Sequence, residues 1–272
     1  MSDAGRETAR GDRFAFGRNW SRFLRVLNDD RVRQAEASLR EMLEMNDLSG
    51  KSFLDIGSGS GLFSLAARRL GATVRSFDYD PHSVACTEEL KRRYFPGDPE
   101  WAVEQGSVLN KDYLARLGTW DIVYSWGVLH HTGDMWKAME NAVGMVKPQG
   151  LLFIAIYNDE GGRSSRWAQL KQLYNRKPWA RPFLLAIGFL FFWGRTFLGD
   201  LLALNPLATW KAYIMQRGMS PWHDLVDWMG GWPFEVATPE AVFDFCRGRG
   251  FTLQRLLTRQ GSGNNEYIFR KV

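Results

Sequence analysis

A doubly wound α/β fold is predicted, its sheet mainly parallel with an antiparallel C-terminal edge, and a helical lid inserted late in the chain. Three observations predict it. Short apolar runs alternate with helical patterns from about residue 50 to residue 157, the order that gives parallel strands joined by right-handed crossovers. The run Phe53-Leu54-Asp55-Ile56-Gly57-Ser58-Gly59-Ser60-Gly61 leads a buried strand into a tight, glycine-rich turn that opens a helix. Near the C-terminus, Phe251–Leu257 and Asn265–Arg270 are strand-like, with Gly261-Ser262-Gly263 between them.

The elements follow in order. Met1 to Arg13 is polar and charged and reads as a mobile tail without an apolar signal region. Phe14 to Asp47 reads as helical, because Val32, Ala35, Leu39 and Leu43 recur at three- and four-residue spacings. The first strand is Ser52 to Ile56; the helix after it carries Phe63, Ala66, Ala67 and Leu70 on one face and stops at Gly71. Ala72 to Phe77 is a second strand ending at Asp78, and Pro81 begins a helix that runs to Tyr94. Trp101–Glu104 and Trp120–Ser125 are the third and fourth strands. A helix over Asp134–Val146, a turn at Lys147-Pro148-Gln149-Gly150 and a fifth strand over Leu151–Tyr157 complete the alternation. Residues from Asp159 to Pro239 interrupt it with helical patterns. The division predicted is a tail and helical arm (1–47), a binding core (48–158), a Trp-rich lid (159–239) and the last helix and strands (240–272).

Charge and composition separate the lid from the rest. The net charge of +5 is distributed as +1 over residues 1–52, −2 over 53–158 and +6 over 159–272. Seven of the twelve tryptophans lie between Trp167 and Trp232. Arg163, Arg166, Lys171, Arg176, Lys177 and Arg181 have no acid among them, and Phe183 to Trp193 is an uninterrupted apolar run. Such a run is shorter than the roughly 20 residues a spanning helix needs. Base followed by apolar surface is what an interfacial helix requires, so residues 163–204 read either as a peripheral membrane contact or as a buried lid or oligomer helix. Cys86 and Cys246 lack metal-ligand or redox spacing, consistent with reduced thiols in a cytoplasmic protein. Four histidines and scattered acids give no metal-ligand spacing.

The glycine turn is the strongest functional signal. It departs from the dinucleotide pattern G-x-G-x-x-G, whose last position would fall on Leu62. Asp55, two residues before Gly57, would repel a pyrophosphate but suits a ligand that carries positive charge. S-adenosylmethionine, with a sulfonium and an ammonium against one carboxylate, is such a ligand. Asp78 ends the second strand, and a carboxylate there offers two oxygens to a ribose. Asp80, before Pro81, reads instead as the start of a helix.

With these residues in place, the chain resembles class I S-adenosylmethionine-dependent methyltransferases. It is most similar to the small-molecule branch that includes ubiquinone- and menaquinone-pathway enzymes, over about residues 50 to 157. The resemblance implies a Rossmann-like sheet, S-adenosylmethionine as cofactor and S-adenosylhomocysteine as product. It implies that Asp55, Gly57, Ser58, Gly59 and Gly61 hold the methionine portion, that Asp78 binds the ribose, and that Tyr79 lies beside the adenine. Ser107 and Val108 stand where the family often has an acid for the adenine amine. Ser125 and Trp126 are expected near the methionine end.

The acceptor side is less determined. His130 and His131 follow the fourth strand, close to where the methyl group would sit, and either accept a proton or pack structurally; His131 is the first choice. His223 beside Asp224, next to Trp222, reads as an acceptor contact, a base or a loop cap, within the polar group that starts at Arg217. Tyr157 and Asn158 end the fifth strand on the acceptor side. The aromatic segment from Phe14 to Trp20 either folds over the cofactor or docks elsewhere. The leading functional reading is methyl transfer to an oxygen, nitrogen or carbon atom of a small or lipid-like metabolite. An RNA methyltransferase and a non-catalytic cofactor-binding protein are the alternatives. The fourth strand ends in Ser-Trp-Gly-Val, not the Asn/Asp-Pro-Pro-Tyr of amino-methylating nucleic-acid enzymes, which argues against DNA adenine methylation but not against every RNA target; nucleic acid is not the expected partner.

Overall fold

The computed structural model describes residues 3–203, 205, 209, 221–259, 261 and 263–272. Its centre is a seven-stranded sheet of order β3-β2-β1-β4-β5-β7-β6. The first five strands are parallel: β1 (Ser52–Ile56), β2 (Thr73–Asp78), β3 (Trp101–Gln105), β4 (Trp120–Trp126) and β5 (Val146–Tyr157). Strands β6 (Phe251–Leu257) and β7 (Asn264–Lys271) form the expected antiparallel hairpin, and β7 inserts beside β5, pairing Phe153 with Ile268. Strand order reverses between β1 and β4, so a crevice opens at their C-terminal ends, where doubly wound sheets bind ligands.

Helices cover both faces, because parallel strands are apolar on both sides. On one face α3 (Asp29–Leu43), α4 (Leu62–Arg69) and α5 (Pro81–Tyr94) bury Leu39, Leu65, Ala66 and Leu90 against Phe53 and Phe153. On the other, α6 (Lys111–Leu117), α7 (Met135–Gly144) and α11 (Pro239–Arg247) bury Leu114, Met139 and Val242 against Leu54, Val123 and Ile154. A third core belongs to the inserted helices α8 (Gly162–Arg176), α9 (Arg181–Leu202) and α10 (Pro221–Gly230), where Trp167, Leu184, Leu225 and Met229 meet.

Three expectations are corrected and one helix is added. The N-terminal tail holds a helix, α1 (Asp3–Arg10), whose Glu7 accepts from Arg13 Nε at 2.8 Å and from the Tyr79 hydroxyl at 3.1 Å. The single helical segment after it divides into α2 (Gly17–Phe23) and α3, because Asn28 stops the chain in extended backbone and caps α3 through Arg31 N. The turn expected at Lys147–Gly150 is instead the start of β5, with Val146 paired to Trp120 and Gln149 at φ 61°. Helix α6 was not anticipated, although Asn110 caps its start and Gly118 ends it.

Candidate active site

The glycine turn connects β1 to α4. Gly57 has φ 78°, and a Cβ there would lie 2.4 Å from Val128 Cγ1. Gly59 has φ 56°, and a Cβ there would press on the Trp20 indole at 3.0 Å. Any larger residue is therefore strained in its backbone and crowded by its neighbours. The turn is held from β2: Gly57 N and Ser58 N both donate to Phe77 O, and Gly59 N donates to Asp78 Oδ2 at 3.0 Å. Ser58 keeps its hydroxyl on Thr87 at 2.9 Å, away from the turn's open side.

Two carboxyls lie here, Asp55 buried and Asp78 half-buried. Asp78 accepts from Gly59 N and, through Oδ1, from Asp80 N at 2.9 Å. Burial nonetheless raises it to about 6; the two backbone N–H groups and Arg13 act against this, and the charge of Asp80 adds to it. Asp80 caps α5 through His82 N and accepts from Gly17 N at 3.0 Å. Asp55 is pushed up to about 7 by burial, with Asp78 adding to the rise and the Ser64 hydroxyl opposing it. Its carboxyl faces α4, not the turn: Ser64 donates to it, Ser64 pairs with Ser76 at 2.7 Å, and Trp101 Nε1 donates to Ser76 at 2.9 Å. Strand alternation turns Asp55 to that face, so its influence on a bound ligand is by charge.

Of the other residues expected at this site, Tyr79 lies under the Arg13 guanidinium, 4.8 Å from its ring centre. Ser107 accepts from Leu109 N in a local turn, and Val108 is buried, its carbonyl taken by Asn141 Nδ2. Ser125 is fully buried and donates to Ile56 O at 3.0 Å, tying β4 to the end of β1, while Trp126 beyond it is exposed.

On the far side of the crevice the structure gathers His130, His131 and Tyr157. The His130 and Tyr157 rings are 4.2 Å apart, and His131 lies 5.5 Å from Tyr157 and 5.0 Å from Phe16. Phe234 closes the group at 5.3 Å from Tyr157. His131 Nδ1 is 2.5 Å from Pro233 O; with the proton on Nδ1 the neutral ring keeps its lone pair on Nε2. Burial holds His131 down at about 3 and His130 well below the ordinary histidine range, with nearby positive charge at Lys171 adding to both.

Asn158 does not join this group. Its Oδ1 accepts from Asn265 Nδ2 and its backbone pairs beside the β6–β7 hairpin. Trp222 stands exposed in the first turn of α10, and Asp224 is half-buried there; the His223 side chain and Arg217 to Ser220 lie outside the described residues. One turn along α10, Asp227 accepts from Asn19 Nδ2 and is raised by burial to about 7, and its charge reaches Tyr157.

Sequence reasoning missed Arg13, Asp227 and the burial of Lys171. Lys171 was grouped with exposed bases, but it is fully buried beneath Trp228 and Phe234, its amine 4.1 Å and 4.8 Å from their ring centres. Burial lowers it well below the ordinary lysine range. Lys171 Nζ donates to Trp228 O and Asn175 Nδ2 donates to Gly230 O, so two side chains one turn apart on α8 satisfy the last carbonyls of α10. The signal was present: Trp167, Lys171, Tyr174 and Asn175 fall at helical spacing on one buried face.

The N-terminal arm joins the two sides. Arg13 donates to His131 O at 2.8 Å, Phe14 N to Trp232 O, Gly17 N to Asp80, and Asn19 to Asp227, while Trp20 lies over Gly59. The crevice thus combines a glycine turn, the buried Asp55, the half-buried Asp78 and a cluster of aromatic rings. It suits a ligand with hydroxyls and positive charge on one side and a flat or apolar group on the other.

A family described as "Methyltransferase domain" matches residues 27–208, well over half of the chain, and the chain belongs to it. Among curated proteins, a tRNA U34 carboxymethyltransferase of Methylococcus capsulatus is 31% identical over 134 residues, 47% of this chain and 40% of that protein. A ubiquinone biosynthesis O-methyltransferase of Rhizobium etli is 31% identical over 121 residues, 44% of this chain and 46% of that one. The chain thus spans less than half the length of these two relatives. Among solved structures, the magnesium protoporphyrin IX methyltransferase of Synechocystis PCC 6803 superposes with a TM-score of 0.52 at 12% identity, covering 89% of this chain and 83% of that one. The N-methyltransferase NodS of Bradyrhizobium japonicum WM9 gives 0.50 at 15%, covering 90% and 98%. These two superpositions share the fold.

Proposed function

We propose that this member of the methyltransferase-domain family is an S-adenosylmethionine-dependent methyltransferase whose acceptor is a small or lipid-like metabolite. The residues fit the cofactor. Positive φ at Gly57, Gly59 and Gly61 gives the turn its tight shape, Asp78 presents a carboxylate at the end of β2 for ribose hydroxyls, and the N-terminus of α4 faces the crevice with its positive dipole end. Desolvation raises both Asp55 and Asp78, and a cationic ligand beside them would favour their ionised forms. When bound, the cofactor supplies a methyl group on a positively charged sulfur, open to in-line displacement.

The chain's own residues then have to align the acceptor and take its proton. Phe16 and Tyr157 pack on His131, and Phe234 on Tyr157, as a cluster of tilted rings, and His131, held at about 3, presents Nε2 as a hydrogen-bond acceptor that stays neutral. Asp227 is better matched to receive the acceptor's proton, because burial has brought it to about 7. His130, fully buried against Tyr157, backs the cluster.

The observation that carries the reading is this cluster of aromatic rings around His131, which suits an apolar or aromatic acceptor better than a polynucleotide. The test measures S-adenosylhomocysteine release with phenols, quinols, lipid-tailed quinols and tRNA. Turnover on an aromatic or lipid-tailed compound, with tRNA inert, is expected. Turnover on tRNA alone, with affinity that falls steeply as salt rises, would overturn the small-molecule reading.

A further inference from the structure

Helix α9 leaves an apolar face without a partner among the described residues. Its inner edge is fixed: Leu184 and Gly188 are buried, a Cβ on Gly188 would lie 2.8 Å from Leu225 Cδ1, and Phe192 packs 4.6 Å from Trp228. Its outer edge carries Phe183, Ile187, Leu190, Leu198 and Leu202, spaced as one stripe of a helix, with Phe183 66%, Leu190 68% and Leu202 77% exposed. Trp179, just before the helix, is 69% exposed. Soluble monomers rarely leave so long an apolar stripe open. With the preceding turn the segment spans Pro178–Leu202, 25 residues long and apolar enough by length and composition to cross a membrane, and only 11% of its apolar window is buried. The expectation that it was too short to span is thereby corrected, since the helix continues through Arg195 and Asp200. Spanning is opposed by the inner edge, which is locked onto α8 and α10.

We propose that α9, together with Trp179, lies in the plane of an anionic lipid bilayer and anchors the protein there. Charge selects this occupant. Arg166 on α8, Lys177 at its end, and Arg181 and Arg195 on α9 are exposed, and among the described residues none of them has an acidic partner, although Arg181 Nε donates to the Tyr174 carbonyl at 3.0 Å. Asp200, the acid on α9, is engaged by Thr209. A second copy of the chain would bring the same bases against themselves, since a two-fold interface pairs a patch with its own image. An anionic headgroup layer neutralises them while the acyl region covers Phe183, Leu190 and Leu198. Because α9 shares its core with α8 and α10, this orientation would set the acceptor side beside the bilayer, where a lipid-tailed acceptor resides. The proposal does not depend on the acceptor, since binding is read without substrate.

Flotation of the full chain with vesicles of phosphatidylcholine alone, or with added phosphatidylglycerol, tests it. Binding to the anionic vesicles that weakens with salt is expected. Leu190→Ser with Leu198→Ser should reduce it about tenfold or more. Arg166→Gln, Lys177→Gln and Arg195→Gln should each weaken it by about fivefold on anionic vesicles only. Circular dichroism confirms that each variant is folded. Absence of flotation with either vesicle would overturn the proposal. So would a dimer in sedimentation equilibrium that the double serine variant dissolves while vesicles fail to bind the wild type.

Discussion

The two sides of the crevice are built by different means. On the donor side, β1, β2 and the turn between β1 and α4 set the geometry through backbone: positive φ at Gly57 and Gly59, and N–H groups aimed at Phe77 O and Asp78. On the acceptor side, the geometry comes from side chains brought together from α2, β5, α8 and α10, where Asn19 holds Asp227 and Lys171 closes α10. A backbone site tolerates changes around it and fails when one of its few specified residues changes. A side-chain site can be retuned residue by residue, so an acceptor side of this kind can change while the donor side stays constant.

The comparison is tested most severely at Asp78. Its carboxylate holds Gly59 N and Asp80 N and is proposed to hold the ribose. Asp78→Ala removes hydrogen bonds to a charged group, each worth about 1.5–3 kcal/mol. The affinity for S-adenosylhomocysteine, measured by calorimetry, should fall roughly 100-fold or more. An unchanged affinity would remove Asp78 from the donor side.

Asp227→Asn probes the acceptor side and keeps the contact with Asn19. General-base contributions are about 100-fold or more. Turnover should fall by that order while S-adenosylhomocysteine affinity stays as in the wild type. The rising limb of kcat/KM, which the wild type should show as pH increases through about 7, should disappear. Stability follows the opposite sign. Between the unfolded value of 3.8 and the folded value of about 7 the native state binds a proton that the unfolded chain does not. Wild-type stability therefore falls as pH rises through this window, and the variant should lose part of that fall, read as a smaller change in Tm between pH 5 and pH 8. A variant that retains both the limb and the full fall would exclude Asp227 as the group concerned.

The same contrast explains what could be read in advance. The sheet, the β6–β7 hairpin and α5 were legible because each carries its signal locally: apolar runs, a Gly-rich connection, Asp80 before Pro81. The place of Asp78 at the end of β2 was legible for the same reason. The tail helix α1 was not, since only Ala4 is buried in it and its hold comes from Glu7 reaching Arg13 and Tyr79 across the fold. Ser125 and Asn158 were placed by their position at strand ends, but position does not say which neighbour takes a side chain, and Ile56 and Asn265 took theirs. Asp227 has no local signal. Its raised pKa arises from burial between segments more than two hundred residues apart in sequence, as its bond to Asn19 shows.

The smallest effect expected separates the lid from the sheet it covers. Lys171→Met keeps the length and apolar stem of the side chain but leaves Trp228 O without its donor, at a cost of about 1–3 kcal/mol. Removing a buried amine from between Trp228 and Phe234 offsets part of that. Because the lid has its own core of Trp167, Leu184, Leu225 and Met229, the loss should appear as local opening. Amide exchange should speed up across α8 and α10 by about tenfold, while β1, β4 and β5 exchange as before. If the strands lost protection equally, the lid and the sheet would unfold as one unit, and the division between a backbone-built donor side and a side-chain-built acceptor side would not extend to their stability.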